Sequence, residues 1–269
     1  MAFPKSIDAF FEILRQAWML AIHDKKAELR TSKLALVWPL LYPVCYTVLF
    51  VLVKPIFGSG AATNGWEFAL FIFTGFSLWQ GWFEGFKWQL DAVRKNKGLL
   101  SRTDLRIESL FLWGVIVGLF DLFPRLLIIL LAASLLDTSS IFAVICFLMI
   151  SLVLLVNGAL IGFVIQPFST LMQDIGKSIQ AISLALIMTG GVFFHFSSAA
   201  LSSQEWVPYL LCLNPVAPLL NYARTIIGLD QYHFFYAVDV WVIITILLLV
   251  LQFYLARKIL PILLERTGA

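Results

Sequence analysis

Six mostly apolar stretches leave this chain few ways to fold: residues 34–55, 68–90, 109–136, 141–165, 175–196 and 237–255. A helix needs about 20 such residues to cross the hydrocarbon core of a bilayer. Lipid offers no hydrogen-bond partners, so a spanning segment must satisfy its own backbone, and these runs lack the alternation of a barrel strand. The expected fold is therefore an all-α integral membrane protein with six transmembrane helices. Composition agrees: 61% of the 269 residues are hydrophobic and 13% are charged, against about 25% charged in a soluble domain. No secretory signal is expected at the start, where charges are scattered through the first 30 residues. Cys45, Cys146 and Cys212 have no paired spacing, and His23, His195 and His233 lie far apart, so neither a disulfide framework nor a metal centre is expected.

Lys and Arg set the orientation. Lys5, Arg15, Lys25, Lys26, Arg30 and Lys33 precede the first stretch. Arg94, Lys95, Lys97, Arg102 and Arg106 lie between the second and third. Lys177 lies between the fourth and fifth, and Arg257, Lys258 and Arg266 follow the sixth. The opposite side holds Lys54 and Arg224 alone. Both termini are expected in the cytoplasm.

Residues 1–33 are read as a cytoplasmic amphipathic interface helix and 34–269 as the six-span domain. Ile7, Phe10, Phe11, Leu14, Trp18 and Ile22 recur at helical spacing, with Asp8, Glu12, Arg15, Lys25 and Lys26 mostly on the other side. Such a helix lies in the membrane plane, either as a plain anchor or as a seat for a cytoplasmic partner. Ser6, after Pro4, is positioned to cap it. Residues 197–236 form the one long outer segment. Its prolines and short apolar runs suit re-entrant helices before the last span, buried against protein.

Several residues inside the spans point to function or to internal pairing. A charge at mid-membrane costs about 2.5–3.5 kcal/mol on insertion scales. Asp121 and Arg125, four apart in the third span, share a helix face and are expected to pair. Glu84 and Lys87 are expected to reach the interface from the inner end of span two. That span also carries Phe71, Phe76, Trp79, Trp82, Phe83 and Phe86. Flat rings stack on sugar faces much as they do on bases, or they pack helices together. Gly176-Lys177-Ser178 has the tail of a phosphate-binding loop, but Leu171 stands where its first glycine belongs. The expectation is a polar turn between two spans.

Four segments, taken in order, resemble one family. They are Glu28–Val44 ("ELRTSKLALVWPLLYPV"), Val93–Phe111 ("VRKNKGLLSRTDLRIESLF"), Gln166–Ile182 ("QPFSTLMQDIGKSIQAI") and Leu213–Gly228 ("LNPVAPLLNYARTIIG"). The chain is similar to the permease subunits of bacterial ABC transporters that export cell-surface polysaccharides such as O antigen, capsule or teichoic acid. It departs from their pattern at Ala35, at Gln173-Asp174, and in lacking a proline after Gly98-Leu99-Leu100.

The resemblance implies an inner-membrane homodimer with two copies of a cytoplasmic ABC ATPase. That subunit, and not this chain, would bind ATP and Mg. The substrate would be a lipid-linked glycan, with no role for nucleic acid. A coupling loop, 91–108, and the interface helix would meet the ATPase through Phe10, Phe11, Arg15, Arg30, Arg94, Lys97, Arg102 and Asp174. The six aromatics with Asp121 and Arg125 would line the path, and Asn214, Pro215 and Arg224 would form an outer gate. A permease of the same fold for a drug or small amphiphile is the alternative. A membrane-embedded glycosyl- or prenyltransferase would need clustered carboxylates for Mg, whereas Asp91, Asp104 and Asp174 stand alone.

Overall fold

A computed structural model describes residues 7–35, 37–53, 65–100, 106–134, 140–193, 209, 212–230 and 235–267. Every extended element among them is a helix. In chain order these are α1 (Ile7–Thr31), α2 (Trp38–Val53), α3 (Gly65–Leu90), α4 (Ala92–Leu100), α5 (Ile107–Ser134), α6 (Ile141–Leu171), α7 (Gln173–Thr189), α8 (Ala217–Ile226) and α9 (Phe235–Thr267). The all-α expectation holds. α5 and residues Ile141–Thr170 of α6 are long and apolar enough to cross a membrane, and Trp38–Val53 and Ala237–Gln252 are shorter apolar helices.

α3 is the centre of the bundle and packs most extensively on α6. Small residues explain the closeness. A Cβ on Gly158 or Gly162 would run into the carbonyl oxygens of Trp82 and Phe86, and one on Gly85 would meet the carbonyl of Leu155. The two helices thus touch backbone to backbone, as small residues four apart allow in a membrane. A polar chain then ties in α9. Trp82 Nε1 donates to Asn157 Oδ1 (3.0 Å), Asn157 Nδ2 donates to Thr245 Oγ1 (2.8 Å), and Thr245 Oγ1 donates to the Trp241 carbonyl (2.7 Å).

Several boundaries move from those expected. The first apolar helix starts at Trp38 rather than 34, after a turn over 33–35, with Pro39 in its first turn, where a missing N–H is harmless. α7 stops at Thr189 because the chain turns at Gly190 and Gly191, the latter at φ 69°; residues 194–196 of the expected span lie outside the described residues. α9 continues to Thr267, well past 255. One residue, Met172, separates α6 from α7 in extended conformation (φ −126°, ψ 107°). Gly176-Lys177-Ser178 therefore lies within the first turns of α7 rather than in a turn, and Ser178 Oγ donates to the Asp174 carbonyl (3.1 Å). No strand leads into it, as a phosphate-binding loop requires.

α1 uses a face that its hydrophobic period hides. Ile13, Ala17 and Ala21, four apart, are buried. Ala17 and Ala21 pack with Trp113 and Val117 of α5 and Ala92 of α4. The aromatic face bearing Phe10, Phe11, Leu14 and Trp18 is exposed. Ser6 lies outside the described residues.

Candidate functional site

The charges inside the bundle gather where α1, α2, α3 and α5 meet. Asp121 and Arg125 do share a face of α5, but they do not pair with each other. Asp121 Oδ1 accepts from Lys25 Nζ of α1 at 2.7 Å, and Lys25 also reaches Glu28 at 2.9 Å. Arg125 Nη2 donates to both carboxylate oxygens of Glu84 on α3, at 2.8 and 3.0 Å. Glu84 is thus an internal partner and does not reach out to the interface as expected, while Lys87 is exposed. A pair within α5 would leave Lys25 and Glu84 without their partners, and an uncompensated buried charge costs several kcal/mol.

Arg125 makes a second link that the sequence explains in retrospect. Its Nε donates to the Pro39 carbonyl at 2.8 Å. That oxygen would ordinarily accept from the N–H four residues on. Residue 43 is a proline inside α2, which has no N–H. The freed carbonyl is taken by a fully buried guanidinium from another helix. Four helices are therefore joined by two ion pairs and one hydrogen bond: α1 to α5 by Lys25–Asp121, α5 to α3 by Arg125–Glu84, and α5 to α2 by Arg125 and the Pro39 carbonyl.

α1 is pinned along α5 at two further heights. Ser109 Oγ donates to Gln16 Oε1 (2.8 Å), and Trp113 Nε1 donates to Asp24 Oδ2 (3.0 Å). Trp88 of α3 stands edge-on to Trp113, centroids 5.7 Å apart. It receives the Lys95 ammonium of α4 over its ring at 3.7 Å, with Lys25 at 5.8 Å. Burial pushes the Lys95 pKa down, with Asp91 and Asp24 working against that shift. Burial also opposes the charge on Lys25, but Asp121 and then Glu28 outweigh it and hold its pKa above the ordinary 10.5. α1 and α4 thus converge on one end of α3.

Among the expected coupling residues, Phe10, Phe11, Arg15 and Arg30 are exposed on α1 and Asp174 is exposed in the first turn of α7. Arg94 is exposed on α4, where it donates to Asp91 at 2.6 Å. Lys97 belongs to α4, its side chain outside the described residues, as is the whole of Arg102.

The aromatics of α3 form a ladder. Tyr46 of α2 stacks on Phe76 at 4.3 Å, Phe76 meets Trp79 at 5.7 Å, and Trp79 stacks on Phe83 at 5.3 Å. Phe83 meets Phe86 at 6.3 Å, and Phe86 stacks on Trp82 at 5.7 Å. Phe71, Phe76, Trp82 and Phe86 are buried within the bundle, while Trp79 and Phe83 are half-buried. The six aromatics expected along the path therefore divide: four pack the bundle interior, and two are half-buried.

The other end of α3 is held by Arg224. Phe71 and Trp88 are 17 positions apart on this helix, about 25 Å along its axis. Arg224, fully buried on α8, donates to the carbonyls of Gly191 (2.6 Å), Val192 (2.6 Å) and Phe71 (2.9 Å). Its guanidinium lies 3.6 Å over the Phe71 ring, in a slot that a Cβ on Gly75 would fill. Two of those carbonyls belong to the turn where α7 ends, so the side chain acts as a remote cap for that break. Asn214 works beside it. Its Oδ1 accepts from Val216 N at the start of α8 (2.9 Å), and its Nδ2 donates to the Leu186 carbonyl and Thr189 Oγ1 of α7 (2.9 Å each). Pro215 lies between, just before α8 begins. α8 is thus the short buried helix expected in the outer segment.

Sequence reading missed Lys25, Glu84 and Asn157 as internal partners. The visible signals were Pro43, which frees a carbonyl, and Glu84, a charge within an apolar span. Among the described residues no group of three or more His, Cys, Asp or Glu is arranged to hold a metal ion. No protein-family model matches the chain, and a search of curated proteins returned no match.

Proposed function

We propose that this chain is the transmembrane permease subunit of an ATP-driven ABC exporter, carrying a lipid-linked cell-surface polysaccharide across the bacterial inner membrane. In this reading it crosses the membrane six times, with both termini in the cytoplasm. It works as a homodimer beside two copies of a separate ATPase subunit, which binds ATP and Mg. The observation that carries the reading is the convergence of two charged helices, α1 and α4, on Trp88 and Trp113, with α1 bound to mid-α5 through Lys25–Asp121. A motor subunit pressing on these helices would act directly on the bundle. The positive-inside charge distribution supports a cytoplasmic position for the same end.

The chain's own residues supply the transmission. Displacement of α1 pulls on Asp121, and Arg125 hands the movement to α3 through Glu84 and to α2 through the Pro39 carbonyl. About 20 Å along α3 from Glu84, Arg224 keeps α8 fixed to α3 and to the end of α7, so α8 is the plug that opens last. Trp79 and Phe83, half-buried at the protomer edge, are the rings best placed to face a glycan at a dimer interface.

The test is deletion of the gene in a bacterium that makes such a glycan. Surface polysaccharide should disappear and its lipid-linked form should accumulate inside. Lys25→Met should fail to restore export. Unchanged surface glycan in the deletion strain would remove the exporter reading.

A further inference from the structure

An open cleft of about 310 Å³ lies beside the ion-pair network, between the end of α1, the start of α2, α3 and α5. Its wall includes Lys25, Glu28, Thr31, Trp38, Tyr42 and Asp121. We propose that this cleft binds a primary ammonium group, of the kind an aminophospholipid headgroup presents at this depth. The inference rests on the chain being an integral membrane protein, and not on what it exports.

The lining carries one cation, Lys25, against three carboxylates, Glu28, Glu84 and Asp121, so its charge opposes an anion. Lys25 is engaged by Asp121 and Glu28, and Arg125, behind the wall, by Glu84 and the Pro39 carbonyl. What remains on offer is acceptors. Glu28 keeps a 40% exposed side chain while contacting Lys25. Thr31 Oγ1 spends its hydrogen on the Ala27 and Glu28 carbonyls, leaving its lone pairs free to accept. One rim is aromatic: Trp38 and Tyr42, one turn apart on α2, are 44% and 52% exposed with centroids 6.1 Å apart. Exposed aromatic faces attract ammonium groups, and Trp and Tyr at the start of a span sit at headgroup level. Carboxylate and hydroxyl acceptors need N–H donors, so a primary ammonium fits and a quaternary one loses those hydrogen bonds.

The full chain, purified in detergent without any ATPase, is titrated calorimetrically with dihexanoyl phosphatidylethanolamine, phosphatidylcholine and phosphatidylglycerol, and with free ethanolamine. The ethanolamine lipid should bind at least about tenfold more tightly than the other two, a difference worth one or two such contacts. Glu28→Gln should abolish that preference with only a small fall in melting temperature, because Lys25 keeps its shorter contact to Asp121. Tyr42→Leu should reduce the preference by a separate route. If free ethanolamine competes, the ammonium alone is recognised; if it does not, the occupant is the intact lipid. Equal binding of the three lipids, a preference for the anionic lipid, or a preference that survives Glu28→Gln would each overturn the assignment. Because no ATPase is present, that result leaves the exporter reading standing, and failure of the exporter reading leaves this one standing.

Discussion

Breaking the Arg125–Glu84 pair should cost far more stability than removing it altogether. Arg125 is fully buried and the Glu84 side chain is 19% exposed. Arg125→Met leaves a carboxylate inside the bundle without its bidentate partner and returns the Pro39 carbonyl to an unpaired state. Removing one member of a buried pair costs about 3–5 kcal/mol, whereas replacing both with neutral groups of similar volume is close to neutral. At about 2–4 °C per kcal/mol for a chain of this size, the single variant should melt roughly 6–20 °C lower. The double variant Glu84→Gln/Arg125→Met should recover most of that loss. Thermal unfolding in detergent of the wild type, both singles and the double completes the cycle. A double variant that loses the sum of the single losses would show that the two side chains act independently, refuting the paired network.

Other outcomes follow from the same geometry. Gly158→Ala and Gly162→Ala place a methyl against the carbonyls of Trp82 and Phe86 and should each cost about 1–3 kcal/mol through overpacking, read as lowered melting temperatures; unchanged melting would mean that α3 and α6 are not in backbone contact. Arg224→Ala orphans the carbonyls of Phe71, Gly191 and Val192, so hydrogen exchange should rise in 212–230 and stay unchanged in α1. The Lys25 pKa is raised, so its stabilising contribution is complete below the unfolded value near 10.5 and is lost as pH climbs through the folded value. Protection of α1 amides relative to α5 should therefore fall only above about pH 10.5, and Lys25→Met should remove that dependence.

The length of the apolar runs was enough to read α3, α5 and α6 as long helices, and prolines between short apolar runs pointed to a short buried helix before α9, because both are local properties. Partner choice was not. Asp121 and Arg125 share a face, but the rotation of α5 against α1 and α3 decides whom they meet, and no single helix encodes that rotation. The docking face of α1 was hidden for a related reason. Ala17 and Ala21 add little to a hydrophobic stripe, yet their smallness lets Trp113 approach, while the louder aromatic stripe faces outward. Arg224 was expected as part of an outer gate, not as a buried tie between helices. Its burial depends on three carbonyls brought together by a break in α7 and by α3, a juxtaposition with no signature in the segment itself.

The central claim, that a separate ATPase drives this chain, is tested most directly by co-purification with the ABC ATPase encoded beside it, with hydrolysis measured in the presence and absence of the chain. The account predicts a stoichiometric complex whose hydrolysis rate differs from that of the free ATPase, and a weaker complex when the exposed Arg15, Arg30 and Arg94 of α1 and α4 are changed to Glu. A chain that stays alone, under conditions where an established permease recruits its ATPase, would contradict it.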